Sequence, residues 1–185
     1  MNKSIYYLLV ITLLVLGCRK EADPFLIDKQ HVGLLTDSTQ VKDLELAFPN
    51  DSIVKFVDGD DFSKNKNEIE VYEKGGKLLL VLDPSQPMDS TAVIKTVQIM
   101  DSRYKTPKNI SSLSTFKDIN DNYTITKINN LINSIVVSVD DINASFTIDK
   151  KELPANLRFD MDLKIEKIQI PDKAKIKYFM IYWFK

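Results

Sequence analysis

The chain has one cysteine, one histidine and one tryptophan in 185 residues. A lone thiol forms no internal disulfide, so the core alone must hold the fold. One histidine and one cysteine fall short of the ligand set of a zinc site. His31 could serve a catalytic triad only beside a nucleophilic serine and an acid, and no G-x-S-x-G elbow occurs. It reads as a surface or sheet-end residue. The five glycines never form a G-x-x-x-x-G-K phosphate loop. A net charge of −1 lacks the basic excess that a nucleic-acid partner requires. No stretch beyond Cys18 is long and apolar enough to span a bilayer as a helix.

What is present begins with Cys18 and its surroundings. Lys3 supplies a positive start, and Ile5 to Leu16 is apolar apart from Thr12. That run is about half of the ~20 residues a spanning helix needs and suits the apolar region of a signal peptide. Val15 and Leu16 precede Gly17, so an ordinary small-x-small cleavage site is absent. Leu14-Val15-Leu16-Gly17-Cys18 resembles the lipobox of bacterial lipoprotein precursors. The resemblance implies a diacylated Cys18 as the mature N-terminus, and a membrane partner held through that lipid. Two or more acyl chains anchor stably, at ~0.8 kcal/mol per buried CH₂. No aspartate follows the cysteine, so the resemblance implies the outer membrane of a bacterial envelope. The alternative is a free cysteine beside a cleaved signal. The polar run Arg19-Lys20-Glu21 directly after Cys18 favours the lipid.

The expected organisation is a signal peptide at 1–17, a polar tether at 18–30 containing Pro24, and one domain at 31–185. A content of 44% hydrophobic and 28% charged residues is that of an ordinary globular protein. Ile, Val and Thr are frequent, and β-branched residues favour strands.

Self-comparison splits the domain into halves at about 31–104 and 105–185. Ile69 to Asp83 and Ile135 to Asp149 each read as strand, polar turn and strand. Ser38 to Leu44 aligns with Ser114 to Ile119 with one residue deleted. Ser52 to Phe56 aligns with Thr124 to Ile128, and Val97 to Asp101 with Ile168 to Asp172. Four blocks thus recur in the same order. In the first half Val41, Leu44 and Phe48 have helical spacing, with Ser38 or Thr39 as cap and Pro49 as stop. In the second, Thr115 caps a helix, Asp118 completes a capping box, and Phe116 and Ile119 form the buried face. Strands are expected at 53–57 and 125–128, then the two hairpins, which turn at Gly75-Gly76 and Asp140-Asp141. Fourth strands are expected at 93–100 and 163–170, and an aromatic strand at 176–184.

The predicted fold is α+β: two tandem helix-plus-four-strand repeats forming a largely antiparallel sheet, with short helices on one face. The layout is similar to that of tandem-repeat β-lactamase-inhibitor-like domains. That resemblance is one of architecture and transfers no binding residue.

Candidate chemistry is sparse. Asp58, Asp60, Asp61, Ser63, Asn65, Asn67 and Glu68 make an oxygen-rich stretch, and calcium takes six to eight oxygen ligands. Phe62 and the lack of a mid-loop glycine break the EF-hand spacing, so the stretch reads as a solvated loop. Asp140-Asp141 reads as a turn, and Asp160 and Asp162 as alternating strand positions. Paired carboxylates for glycoside cleavage would be expected with stacking aromatics. The densest aromatic group is Tyr178, Phe179, Tyr182, Trp183 and Phe184, which reads as core and sheet edge. Asp37-Ser38-Thr39, Asp51-Ser52-Ile53 and Asp89-Ser90-Thr91 resemble an O-glycosylation acceptor of some bacterial exported proteins, and local capping accounts for them equally well.

The expectation is a non-enzymatic, lipid-tethered envelope protein without cofactor or metal, whose sheet face or edge binds an envelope protein partner. The alternatives are a lipid or glycan carrier with an apolar pocket between helices and sheet, and a carboxylate hydrolase.

Overall fold

A computed structural model describes residues 23–55 and 67–183. Cys18, Phe184 and residues 58–66 of the oxygen-rich stretch lie outside the described residues.

Three two-residue strands, β1 (Ile27–Asp28), β2 (His31–Val32) and β3 (Leu35–Thr36), form a small antiparallel sheet. The main sheet has eight antiparallel strands. They are β4 (Ser52–Lys55), β5 (Ile69–Tyr72), β6 (Leu78–Pro84), β7 (Ile94–Ile99), β8 (Lys127–Asn130), β9 (Ser134–Val139), β10 (Ala144–Asp149) and β11 (Ile176–Tyr182). Their order is β4-β5-β6-β7-β11-β10-β9-β8. Each half of the chain therefore forms a four-stranded meander, and the meanders meet at their last strands.

Alternation selects one face of this sheet for burial. One cross-strand row runs Ile53, Val71, Leu80, Ile99, Phe179, Phe146, Val137, Ile128 through all eight strands. Val71, Leu80, Phe179, Phe146 and Val137 are fully buried, and the rings of Phe146 and Phe179 pack 4.6 Å apart near the centre. The helices α1 (Leu44–Ala47) and α2 (Phe116–Asn122) add Leu44, Phe116 and Ile119 to the same core.

Several local expectations meet their elements. Val41, Leu44 and Phe48 are all buried around α1, and Phe48 N–H bonds to the Leu44 carbonyl. Thr115 caps α2: its hydroxyl accepts from Asp118 N–H, and the Asp118 carboxylate accepts from Thr115 N–H at 2.7 Å. Gly75 and Gly76 both take positive φ in the first hairpin turn.

Other expectations need correction. Ser38 and Thr39 do not cap α1; Gln40 precedes its 3₁₀ turn without a side-chain cap, and the Thr39 hydroxyl instead accepts from Thr36 N–H. At Asp140-Asp141 a 3₁₀ turn forms, and Asn143 takes the left-handed conformation that aspartate was expected to supply. The outer strand of the second half is Lys127–Asn130 rather than 125–128, because Thr126 is tied to Asp140 Oδ1 and the Ser138 carbonyl.

Residues 163–170 are not a strand. Glu166 and Gln169 bond reciprocally around the 3₁₀ turn Lys167–Gln169, and Pro171, with no N–H to give a ladder, follows it. The fourth strand of that meander is the aromatic one, β11. It lies at the centre of the sheet, between β7 and β10, not at its edge. The folded part also begins earlier than expected: β1 falls within the segment read as tether, and Phe25 packs edge-on against Tyr104 at 5.1 Å.

Candidate functional site: the open sheet face

Among the described residues, no helix lies over the second face of the main sheet. A cross-strand row on this side runs Val54, Glu70, Val81, Gln98, Met180, Ser145, Ser138, Lys127, again through all eight strands. Most of these side chains are half-buried or exposed, whereas the opposite row is largely closed to solvent. The row mixes apolar, amide, hydroxyl and charged groups, as the solvent-facing side of an antiparallel sheet does.

Two shallow hollows lie on this face, one on either side of the central β7–β11 pair. One, of about 400 Å³, is lined by Asn129, Ser138, Asp140, Asn143, Ser145 and Tyr182, among others. The Ser145 and Tyr182 hydroxyls pair across it at 3.1 Å. The other, of about 580 Å³, includes Asn67, Glu68, Asp83, Thr96, Gln98 and Met180. Burial raises the Asp83 carboxyl above its usual range, and a 3.0 Å hydrogen bond from Asn67 Nδ2 partly offsets that. The carrier alternative called for a pocket between helices and sheet; these hollows are on the other face.

The aromatic cluster divides between the two faces. Phe179 and Trp183 are buried, with the indole N–H bonded to the Lys29 carbonyl at 3.1 Å. Tyr178 and Tyr182 point to the open face, as strand alternation requires. Asn67, from the oxygen-rich stretch, donates from Nδ2 to Asp83 Oδ1 and to the Pro84 carbonyl. His31 is half-buried in β2, opposite Asp28 and Thr36. Asp160 and Asp162 sit in an exposed loop, not on a strand. Among the described residues, no group of three or more His, Cys, Asp or Glu could hold a metal ion. Asp89 accepts from the backbone and hydroxyl of Thr91, so that acceptor-like triplet forms a turn.

The strongest electrostatic feature is at one end of the sheet, past β7. The Asp101 side chain is fully buried, bonded by Arg103 at 2.7 Å and Lys77 at 3.0 Å. Arg103 also pairs with Glu73 at 2.7 Å and lies over the Phe25 ring at 4.7 Å. Burial alone pushes the Asp101 carboxyl up, but hydrogen bonds from the Arg103 side chain and backbone and from Lys77 outweigh it, bringing it to about 2. Tyr104 beside it is raised by burial and by the negative charges of Asp51 and Asp101. Every charge here has a partner, so the cluster acts as a clasp. It fastens the N-terminal segment, whose Phe25 carbonyl accepts from Lys105 N–H, to the turn of the β5–β6 hairpin. Its members are scattered through the sequence, and no motif announces them.

No protein-family model matches the chain, and no curated protein matches it in sequence. Among solved structures it is similar to the crystal structure of the uncharacterized protein yfeY from Escherichia coli. The TM-score is 0.54 at 14% identity, over 84% of this chain and 98% of that one. At that identity the likeness is one of fold.

Proposed function

We propose that this protein is a lipid-anchored component of the bacterial envelope, and that its open sheet face binds another envelope protein. The observation that carries the binding reading is the row from Val54 to Lys127, continuous through eight strands and, among the described residues, without a helix over it. Continuous twisted sheet surfaces suit protein recognition, and the hollows flanking β7–β11 can accept side chains from a partner. The anchor reading is supported by the Leu14 to Cys18 pattern. The N-terminal end of the described domain is clasped in place by Arg103 and Gly33, so a tether would leave from a defined point.

The same proposal includes a duplicated origin for the two meanders. In support, Val41 and Lys42 donate to the carbonyls of Ala92 and Ser90, as Phe116 and Lys117 donate to Ala174 and Asp172. Thr36 N–H bonds to the Thr39 hydroxyl as Ser111 N–H bonds to that of Ser114. Ile69 faces Leu82 as Ile135 faces Ile148. Leu80 and Phe146, equivalent in this alignment, are both fully buried.

The test is site-specific photo-crosslinking in intact cells. A crosslinker at Gln98 or Met180 is expected to give one adduct of constant mass, absent when it stands at Lys42 on the covered side. Adducts missing from all open-face positions would sink the binding reading.

A further inference from the structure

The register of the sheet brings one end of β7 and one end of β8 to the same side of the molecule. β7 runs toward Ile99 and on to the clasp at Asp101 and Arg103, where Lys105 pairs with the N-terminal segment. The Ile99 row continues through Phe179, Phe146 and Val137. One step further toward that end lies the row Ile148, Ile135, Asn130, and the β8–β9 turn follows. The point where the domain's N-terminus emerges and the β8–β9 turn thus share one end of the sheet, four strand spacings or about 19 Å apart across it.

That end is apolar at its tips. Leu131 and Ile132 stand on the β8–β9 turn, Ile132 at 69% exposure. Beside them the loop after Leu157 presents Phe159 at 86% and Met161 at 54%. The two loops are held together because Asn130 Nδ2 donates to the carbonyls of Asp160, Met161 and Leu163. Leu113, also exposed, precedes Thr115, which bridges to Lys175 at the same end. Four large apolar side chains, Leu131, Ile132, Phe159 and Met161, thus stand exposed on two bonded loops, a grouping that soluble surfaces avoid. The chain from Cys18 to Asp23 reaches at most about 18 Å when fully extended. An anchor at Cys18 therefore keeps this end, and not the Met88 end, against the bilayer.

The geometry points to a lipid-docking tip: Leu131, Ile132, Phe159 and Met161 enter the headgroup–acyl boundary of the membrane that holds the anchor. This rests on the lipid-anchor reading. Docking would stand the strands up from the membrane and turn the open face sideways. Its partner would then be a protein on the same membrane rather than one arriving end-on.

Because acylation blocks Cys18, the only native cysteine, a single introduced thiol can be labelled in the full acylated chain. Ile132→Cys, Phe159→Cys and, as the distal control, Met88→Cys would each carry an environment-sensitive fluorophore in phosphatidylethanolamine–phosphatidylglycerol vesicles. Mass spectrometry of the N-terminal peptide is read on the same samples. The expected result is an acylated Cys18, severalfold weaker aqueous quenching at positions 132 and 159 than at 88, and quenching by nitroxide lipid at 132 and 159 alone. Equal aqueous quenching at all three positions on an acylated chain would overturn docking and leave the anchor standing. Shielding at 132 and 159 without nitroxide-lipid quenching would mean that a second copy covers the tip, and would also overturn it. An unacylated Cys18 would overturn the anchor and the docking together.

Discussion

At Gly33 the backbone has φ of +57°, and an added Cβ would lie 2.3 Å from the Pro24 carbonyl oxygen. Left-handed backbone costs a non-glycine residue roughly 1–2 kcal/mol, and here a backbone atom blocks the side chain as well. Gly33→Ala should free the N-terminal segment, seen as faster amide exchange at Leu26 and Ile27 with the main sheet still protected. Asp101 is the other sensitive single position. Removing one member of a buried ion pair costs 3–5 kcal/mol; partly solvated Arg103 and Lys77 reduce this to about 2–3 kcal/mol for Asp101→Ala. The folded-state value of Asp101 lies below the ordinary ~3.9, so its contribution to stability is complete above about pH 4. It is lost as pH falls toward 2. Denaturation midpoints between pH 5 and 2 should fall for the native chain, and the difference from Asp101→Asn should shrink over the same interval. Cys18→Ser should move the protein from the membrane to the soluble fraction; continued sedimentation with membrane would refute the anchor.

Among the elements, α2 is the one whose boundaries are written locally. Its capping box satisfies backbone donors at the helix start, and Thr115→Ala should cost about 1 kcal/mol. α1 has the same buried spacing without the side-chain cap, so Gln40→Ala should change stability far less. Chemical denaturation of both variants checks the contrast. Helix and hairpin positions were legible because caps, apolar periodicity and Gly-Gly turns act within a few residues. Residues 163–170 were misread because Leu163, Ile165 and Ile170 suit a strand as well as a loop lying over the core. Nothing within that stretch reveals that β11 occupies the place beside β10.

For the whole molecule, β11 is the element on which both halves depend. It pairs with β7 on one side and β10 on the other, and supplies Phe179 and Ile181 to the core. Deleting the chain from Ile176 onward should unfold both meanders together, with loss of far-UV strand signal and of protected amides in β5 and β6 as well as β9. Survival of a folded first meander would show that the halves are independent units. The outer strands β4 and β8 are four residues each, and each carries a lysine, a pattern that discourages edge-to-edge association. The open face rather than the edges is therefore where the proposed partner would bind.

The sequence by itself determined what short-range physics decides: the apolar run before Cys18, the strand-rich α+β class, the hairpins, the cap of α2 and the buried alternation of β5, β6, β9 and β10. Tertiary structure alone decided which strands meet, because pairing β7 with β11 joins residues some eighty positions apart and no local pattern encodes that choice. It decided the clasp of Glu73, Lys77, Asp101 and Arg103, which exists only once a hairpin turn and the N-terminal segment converge. It also decided which face stays open and which end carries the apolar tips. Alternation specifies that a strand has two faces, and only the packing of the remaining chain settles which of them is covered.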